Sequence, residues 1–150
     1  MIKFICYPKC TTCQKAKKSL DDNKIEYEIR DIKEDNPTFD ELTEWYKMSG
    51  IPLKKFFNTS GLLYKSMELK DKLPTMSEED RLKLLATDGM LVKRPLVIGK
   101  DFVLIGFKES EWEEKLWKIL VQKLFYIDIR VYIAVNWTVF FFKLFDVFTN

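Results

Sequence analysis

The sequence predicts an α/β domain built from a βαβ unit, an inserted helical segment and a ββα unit. Two observations predict it. Strand-like and helix-like patterns alternate over about the first 30 residues, and two short apolar runs near residue 100 are separated by turn residues and followed by an amphipathic segment. At 150 residues, 47% apolar and 32% charged, the chain is long enough for one ordinary hydrophobic core.

The N-terminal residues carry the βαβ prediction. Lys3 to Tyr7 predict a short buried strand, which Pro8 ends. Thr12 to Asp22, rich in Ala, Lys, Gln and Leu, predict a helix. Ile25 to Arg30 alternate apolar and charged residues, as a half-buried strand does. We therefore expect two parallel strands joined by a right-handed crossover.

The middle of the chain predicts a helical insert. Two capped helices are expected, from Thr38 to Gly50 and from Ser77 to Gly89. Each begins with a hydroxyl residue followed three positions later by an acidic residue, and each ends at a glycine. Leu53 to Leu73 are less regular and contain a turn at Asn58 to Gly61.

The last part of the predicted domain is a hairpin and a helix. Leu96 to Ile98 and Phe102 to Ile105 are apolar runs separated by three turn residues, which predicts an antiparallel pair. Glu109 to Leu116 predict an amphipathic helix capped by Ser110. These elements give a domain over residues 1–118.

Residues 119–150 are predicted to be an aromatic, hydrophobic C-terminal extension. Their longest uncharged run, Val131 to Phe142, has 12 residues. A helix needs about 20 to cross a bilayer, so no membrane span is expected, although the aromatic extension leaves that alternative open. The extension is expected to pack on the domain, to mediate self-association or to contribute nothing to the chemistry.

Charge and the N-terminal pattern exclude several classes of function. Lys and Arg number 25 against 23 Asp and Glu, a net charge of +2, so direct nucleic-acid binding is disfavoured. The first residues run straight into a strand without the pattern of a signal peptide. We therefore expect a cytoplasmic protein.

Histidine is absent from the sequence, which excludes Cys/His pairs, Ser/His/Asp triads and His-ligated metal sites. The three cysteines all lie within the first 13 residues. A framework of structural disulfides would spread more cysteines along the chain.

Cys10 and Cys13 form a Cys-x-x-Cys motif where the first strand hands over to the first helix. This spacing places both thiols on one face of the opening turn, within reach of a reversible disulfide. The positive end of the helix should lower the pKa of the Cys10 thiol from about 8.5. Lys9, Lys15 or a distant arginine are the side chains expected to add to that activation.

Other interpretations of the cysteines remain open. A zinc site would need further ligands, and only Cys6 is left to supply one. Cys10 and Cys13 could instead be a structural pair of small buried residues. Cys6, at an apolar strand position, is expected to be an inert core residue. Pro95 could simply begin a strand, or it could mark an edge that faces Cys10 and carries the charge of Arg94.

Four segments of the sequence resemble the arsenate reductase-like (ArsC) family of the thioredoxin superfamily, which also contains the Spx and MgsR regulators. They are Tyr7 to Ala16, Lys55 to Gly61, Ala86 to Leu91 and Lys93 to Leu96. The resemblance implies a thioredoxin-like fold of glutaredoxin type. It also implies that Cys10 is the nucleophile, that Pro95 is a cis proline packed against the cysteines, and that Arg94 binds anions beside them.

Departures from the family pattern favour thiol–disulfide chemistry over arsenate reduction. The arsenate reductases that this sequence resembles have an anion site ringed by three arginines. Lys65 and Lys108 stand here where two of those arginines are expected. Cys13 can resolve an adduct on Cys10 internally. The predicted reaction is thiol–disulfide exchange, with Cys10, Cys13 and Arg94 as catalytic residues. The predicted site-shaping residues are Pro95, Lys9, Thr11, Thr12 and Lys65.

Two further functions follow from the resemblance. The first is an Spx/MgsR-type redox sensor that acts by binding RNA polymerase through the C-terminal domain of its α subunit, and the second is arsenate reduction. In the thiol–disulfide reaction, the expected partners are a small thiol or a protein disulfide, with glutathione, thioredoxin or a similar external thiol as reductant. No bound cofactor or metal is expected.

Overall fold

A mixed sheet lies at the centre of the computed structural model, which describes residues 1–121. Its strands in this part of the chain are β1 Ile2–Cys6, β2 Tyr27–Asp31, β3 Leu96–Ile98 and β4 Val103–Ile105. They lie in the order β2-β1-β3-β4. β1 and β2 are parallel, whereas β1 with β3 and β3 with β4 are antiparallel.

The helices complete the predicted order of elements. The α-helices within residues 1–121 are α1 Thr11–Asp22, α2 Phe39–Ser49, α3 Leu62–Ser66, α4 Leu69–Lys72, α5 Glu78–Leu85 and α6, described over residues 109–121. A βαβ unit, a helical insert and a ββα unit follow one another along the chain. The predicted α/β fold class is confirmed.

The C-terminus of α1 is closed by a Schellman motif. The N–H of Lys24 donates to the carbonyl of Asp21 at 3.0 Å, and the N–H of Ile25 donates to the carbonyl of Leu20 at 3.0 Å. Lys24 has a φ of +53°, in the left-handed region that favours glycine. The predicted end of this helix at Asp22 is confirmed, and the turn after it carries a strained lysine.

The prediction for β2 was wrong in its bounds and in its burial. The strand begins at Tyr27 rather than at Ile25, because the N–H of Ile25 closes the preceding helix. Ile29, one of the apolar positions of the alternating pattern, is 54% exposed. β2 is an edge strand with β1 as its neighbour, so alternation along it does not guarantee that its apolar side chains are covered.

The first capped helix of the insert, α2, begins as predicted. The Thr38 hydroxyl accepts from the N–H of Glu41, and the Glu41 carboxylate accepts from the N–H of Thr38. Gly50 ends the helix in the left-handed conformation, with a φ of +63°. The same Glu41 carboxylate pairs with Arg30 on β2 at 2.7 Å, which ties the insert to the edge of the sheet.

The second capped helix, α5, is shorter than predicted. Ser77 caps it by accepting from the N–H of Asp80, but the helix ends at Leu85 rather than at Gly89. A Cβ at Gly89 would collide with the backbone carbonyl of Ile32. Because this glycine has no side chain, its backbone can lie close to the backbone of Ile32. It also begins a 3₁₀ turn, Gly89–Leu91.

The two faces of the sheet bury different sets of side chains. Ile5 belongs to a large apolar cluster with residues of the insert, among them Leu42, Trp45, Phe56, Tyr64, Leu85 and Leu91. Phe4 and Cys6 point to the opposite face, because side chains alternate along a strand. α1 buries Cys13, Ala16 and Leu20. The strand that precedes the Cys-x-x-Cys motif is thus buried on both faces, which makes it a rigid base.

The chain divides into two compact units, Met1–Lys108 and Glu109–Asn150. In the second unit, α6 buries Trp112 and exposes Trp117. The expectation that Ser110 caps this helix was wrong, because the helix already includes residue 109. The predicted extension of residues 119–150 lies almost entirely outside the described residues, and its predicted boundary and role stay predictions. No described helix is long and apolar enough to span a bilayer.

Candidate functional site

The junction between β1 and α1 presents the two cysteines. Pro8 cannot donate to a strand ladder, and the chain turns there before Cys10, the N-cap residue of α1. The N–H of Cys10 donates to the carbonyl of Tyr7 at 2.9 Å. The side chain of Gln14 donates to the carbonyl of Pro8 at 3.0 Å and so holds the turn against the first turn of the helix. Cys10 is thereby held at the electropositive end of α1.

Cys10 is half-buried, and its surroundings favour the thiolate. Partial burial on its own raises the pKa of the Cys10 thiol. The N–H and thiol of Cys13 act in the opposite direction, as do the N–H of Thr12 and the guanidinium of Arg94. Together these donors outweigh burial, and the pKa of Cys10 lies below its ordinary value. The predicted activation by the helix N-terminus is thus supplied by individual N–H groups.

Cys13 lies in the opposite environment. Its side chain is 2% exposed, and burial is the largest of the causes that together raise the pKa of its thiol to about 12. The neighbouring Cys10 thiolate contributes to this rise, because a negative charge and an acceptor beside Cys13 both favour its protonated form. The N–H of Tyr7 donates to Cys13 Sγ at 3.5 Å and opposes that effect. All three cysteines are free thiols, and Cys13 keeps its proton at neutral pH.

Cys6 is a buried thiol at the end of β1. Its side chain is 4% exposed, and burial raises the pKa of the thiol, with further contributions from the charges of Asp31 and Cys10. A thiol that is both buried and protonated is a poor nucleophile. These surroundings match the expectation of a core residue without chemistry of its own.

Arg94 brings a positive charge to the two cysteines from the far end of the domain sequence. It precedes Pro95 at the start of β3, and the bond between them is cis, as the resemblance implies. Its guanidinium carbon lies 5.3 Å from the centre of the Tyr7 ring, and Nη1 donates to the carbonyl of Met90 at 3.4 Å. Its Nε is buried and has no hydrogen-bond partner. The guanidinium is therefore held by few contacts and interacts with Cys10.

Asn58 is a residue whose place in the site the sequence did not reveal. It is buried, 8% exposed, and its N–H donates to the carbonyl of Leu91 at 2.7 Å. Its side-chain amide donates to the carbonyl of Met90 at 3.2 Å, the same oxygen that Arg94 contacts. A Cβ at Gly61 would lie 2.6 Å from that amide. The predicted turn at 58–61 thus braces the segment that leads to Arg94.

The remaining predicted site residues are placed as follows. Thr11 and Thr12 form the exposed start of α1, and Thr12 contributes its backbone N–H to Cys10. Lys9 is exposed in the turn before Cys10. Lys65 is exposed on α3, which belongs to the helical insert and not to the junction of β1 and α1. The structure brings Thr12 and Arg94 to the thiol, whereas the roles of Lys9, Thr11 and Lys65 stay predictions.

Within residues 1–121, no three Cys, Asp or Glu side chains are grouped so that they could hold a metal ion.

Comparisons with known proteins find relatives over most of the described residues. The model of a family described as the ArsC family matches residues 6–115. A Bacillus subtilis protein named uncharacterized protein YusI is 50% identical over 113 residues, 75% of this chain and 96% of its own length. The crystal structure of a putative ArsC family related protein from Bacteroides fragilis is 60% identical, with a TM-score of 0.75, and the match covers 77% of this chain and 96% of that one.

A more distant relative carries a functional name. The protein called global transcriptional regulator Spx 1 of Bacillus cereus is 28% identical over 111 residues, which cover 74% of this chain and 83% of that protein.

Proposed function

This chain belongs to the ArsC family and has its thioredoxin-like fold, and we propose that it is a thiol–disulfide redox protein in which Cys10 is the nucleophile and Cys13 the resolving cysteine. One observation carries the proposal. Two thiols that share one helical turn have pKa values shifted in opposite directions, downward at Cys10 and upward at Cys13. The first is suited to attack, and the second stays protonated until it is needed.

The first step uses the Cys10 thiolate. It attacks one sulfur of a disulfide, either the oxidised form of a small thiol or a disulfide in a protein; the substrate S–S bond breaks, and one substrate thiolate leaves and takes up a proton from water. The product is a mixed disulfide between Cys10 and the substrate. The guanidinium of Arg94, which interacts with the Cys10 thiolate, offers positive charge beside the reacting sulfur.

The second step uses Cys13. Once Cys10 is part of a mixed disulfide its charge is gone, so burial remains as the main cause that raises the pKa of Cys13, while the contribution of the Cys10 thiolate disappears. Cys13 then loses its proton more readily, attacks Cys10 Sγ and releases the second substrate thiolate. The resulting Cys10–Cys13 disulfide is two electrons more oxidised than the dithiol. An external thiol such as glutathione or thioredoxin then reduces it to the dithiol. No cofactor needs to be bound.

The same site supports arsenate reduction less well. An oxyanion and its thiol adduct are best held by several bidentate guanidinium groups. Arg94 interacts with Cys10, but Arg30 is engaged by Glu41 and Lys65 is exposed on α3. Arsenate chemistry is therefore a second use of the site that a direct assay must test.

A redox-sensing regulator is the alternative that a specific comparison favours, namely the match to Spx 1. In that case the dithiol would report oxidation, and the partner would be RNA polymerase, bound through the C-terminal domain of its α subunit. The two functions differ in turnover. An oxidoreductase passes through many cycles with a thiol reductant, whereas a sensor changes its partner on a single oxidation.

The deciding experiment exposes the reduced full-length chain to oxidised glutathione and follows intact mass and peptide maps. We expect the native chain to lose two hydrogens by linking Cys10 to Cys13, Cys13→Ser to accumulate one glutathione adduct on Cys10, and Cys10→Ser to do neither. Cys6→Ser is the matched control and should behave as the native chain does.

Failure of the native chain to form the Cys10–Cys13 bond would overturn the proposal, as would loss of that bond in Cys6→Ser. Arsenate-dependent thiol oxidation that survives in Cys13→Ser but not in Arg94→Ala would replace it with arsenate reduction. Recovery of RNA polymerase with the oxidised chain but not with the reduced chain, without turnover, would replace it with the sensor.

A further inference from the structure

Tyr7 contacts every group that the proposed chemistry uses. Its N–H donates to Cys13 Sγ at 3.5 Å, and its carbonyl accepts from the N–H of Cys10 at 2.9 Å. Its ring lies against the guanidinium of Arg94, with 5.3 Å between the ring centre and the guanidinium carbon. The two backbone contacts are available to any residue at position 7, but the ring contact requires an aromatic side chain.

We propose that Tyr7 is a positioning residue whose ring holds the guanidinium of Arg94 beside Cys10 Sγ and so sets the reactivity of that thiol. This inference rests on the proposed function, because it concerns the same nucleophile. Its physical basis is the negative face of an aromatic ring, which attracts a guanidinium and leaves the N–H groups at the edge of that cation available to another acceptor.

The ring matters because little else holds the arginine. The hydrogen bond from Nη1 to the Met90 carbonyl is long, 3.4 Å, and Nε is buried without a partner. An arginine side chain loses rotamer entropy when it is held in one place, and one long hydrogen bond is a weak compensation for that loss. Besides the interaction with Cys10 itself, contact with the Tyr7 ring is a further restraint, and it adds an attraction that keeps the guanidinium at the thiol.

A purely structural role for Tyr7 makes a different prediction. The side chain is half-buried and packs against the apolar cluster of the insert, so its removal would lower stability in any case. Packing alone, however, would not make the effect of Tyr7 on Cys10 depend on Arg94. A double-mutant cycle between the two side chains separates these roles.

The test measures alkylation of Cys10 by iodoacetamide against pH in the reduced full-length chain, with peptide mapping to assign the modified thiol. We expect Tyr7→Leu to move the Cys10 midpoint to higher pH and to slow alkylation at pH 7 roughly two- to fivefold, the range that a partly exposed cation–π contact supports. Tyr7→Phe keeps the ring and should stay within about twofold of the native rate. In an Arg94→Met background, Tyr7→Leu should change neither quantity.

An equal effect of Tyr7→Leu with and without Arg94 would overturn the inference, and so would no effect in either background. Protection of Cys13 from alkylation reports that each variant is folded, and Tyr7→Met repeats the cycle if Tyr7→Leu does not fold. The assay needs the Cys10 thiolate but no disulfide. Failure of the Cys10–Cys13 bond to form would therefore sink the proposed function and leave this test intact.

Discussion

Cys10, at the N-terminus of α1, and Cys13, one turn into the helix, belong to the same Cys-x-x-Cys motif. They differ in the burial and in the neighbouring groups that govern the reactivity of a thiol. Cys10 is half-buried and meets N–H donors and a guanidinium, whereas Cys13 is 2% exposed and faces a thiolate. Two identical functional groups thus acquire opposite pKa shifts within three residues. The spacing of the motif supplies proximity, whereas the different reactivity of the two thiols comes from the deep burial of Cys13 and from the hydrogen-bond donors around Cys10.

The strongest way to break this comparison is to measure the two thiols separately at neutral pH. A pKa of about 12 leaves roughly one Cys13 in 100,000 as thiolate at pH 7, whereas a pKa below 9 leaves more than about 1% of Cys10 ionised. We expect iodoacetamide to modify Cys10 at least about 1000-fold faster than Cys13. Quenched time courses with peptide mapping give both rates.

Cys6 serves as the internal control for that experiment, because burial also raises the pKa of its thiol. It should therefore also react much more slowly than Cys10. Comparable alkylation rates at Cys10 and Cys13 would contradict the comparison. They would show that the N-terminus of α1 does not make Cys10 more reactive than the buried Cys13.

Alkaline unfolding sharpens the comparison through the free energy of unfolding. The pKa of Cys13 is about 12 in the folded chain against 9.0 ordinarily, so its contribution to stability is complete below pH 9 and is lost as the pH rises towards 12. At pH 10 the loss should be about 1.4 kcal/mol. Between pH 7 and pH 10, the free energy of unfolding should therefore fall by about that much less in Cys13→Ser than in the native chain.

Cys10→Ser is the opposing control in these urea titrations, which are run with reductant. Because the pKa of Cys10 is lowered in the folded chain, that thiol contributes stability above its unfolded pKa and loses it as the pH falls through the folded pKa. Removing it should steepen the alkaline decline. Parallel declines in the native chain and Cys13→Ser would mean that Cys13 is not the buried, protonated thiol that the structure shows.

The order of elements could be predicted from the sequence because periodicity, caps and turns are local. The capping box at Thr38 and the hairpin before α6 are of this kind. The contact between Tyr7 and Arg94 joins residues far apart in the sequence, and burial of Asn58 depends on segment 90–91 folding over it. Such contacts have no local signal. The exposure of Ile29 was missed for a related reason, since alternation does not reveal that a strand lies at an edge.

The smallest expected effect tests whether the reactivity of Cys10 depends on the helix as a whole or on its mouth. Lys24, at the far end of α1, has a φ of +53°, so Lys24→Gly should relieve strain and raise the free energy of unfolding by about 0.5 to 1 kcal/mol. Lys24→Ala keeps the strain and should gain nothing comparable. The Cys10 alkylation profile should be the same in both variants, because the groups that favour its thiolate lie at Thr12, Cys13 and Arg94. If the alkylation profile of Cys10 changed together with the free energy of unfolding, the activation of its thiol would depend on the whole helix rather than on the groups at its N-terminus.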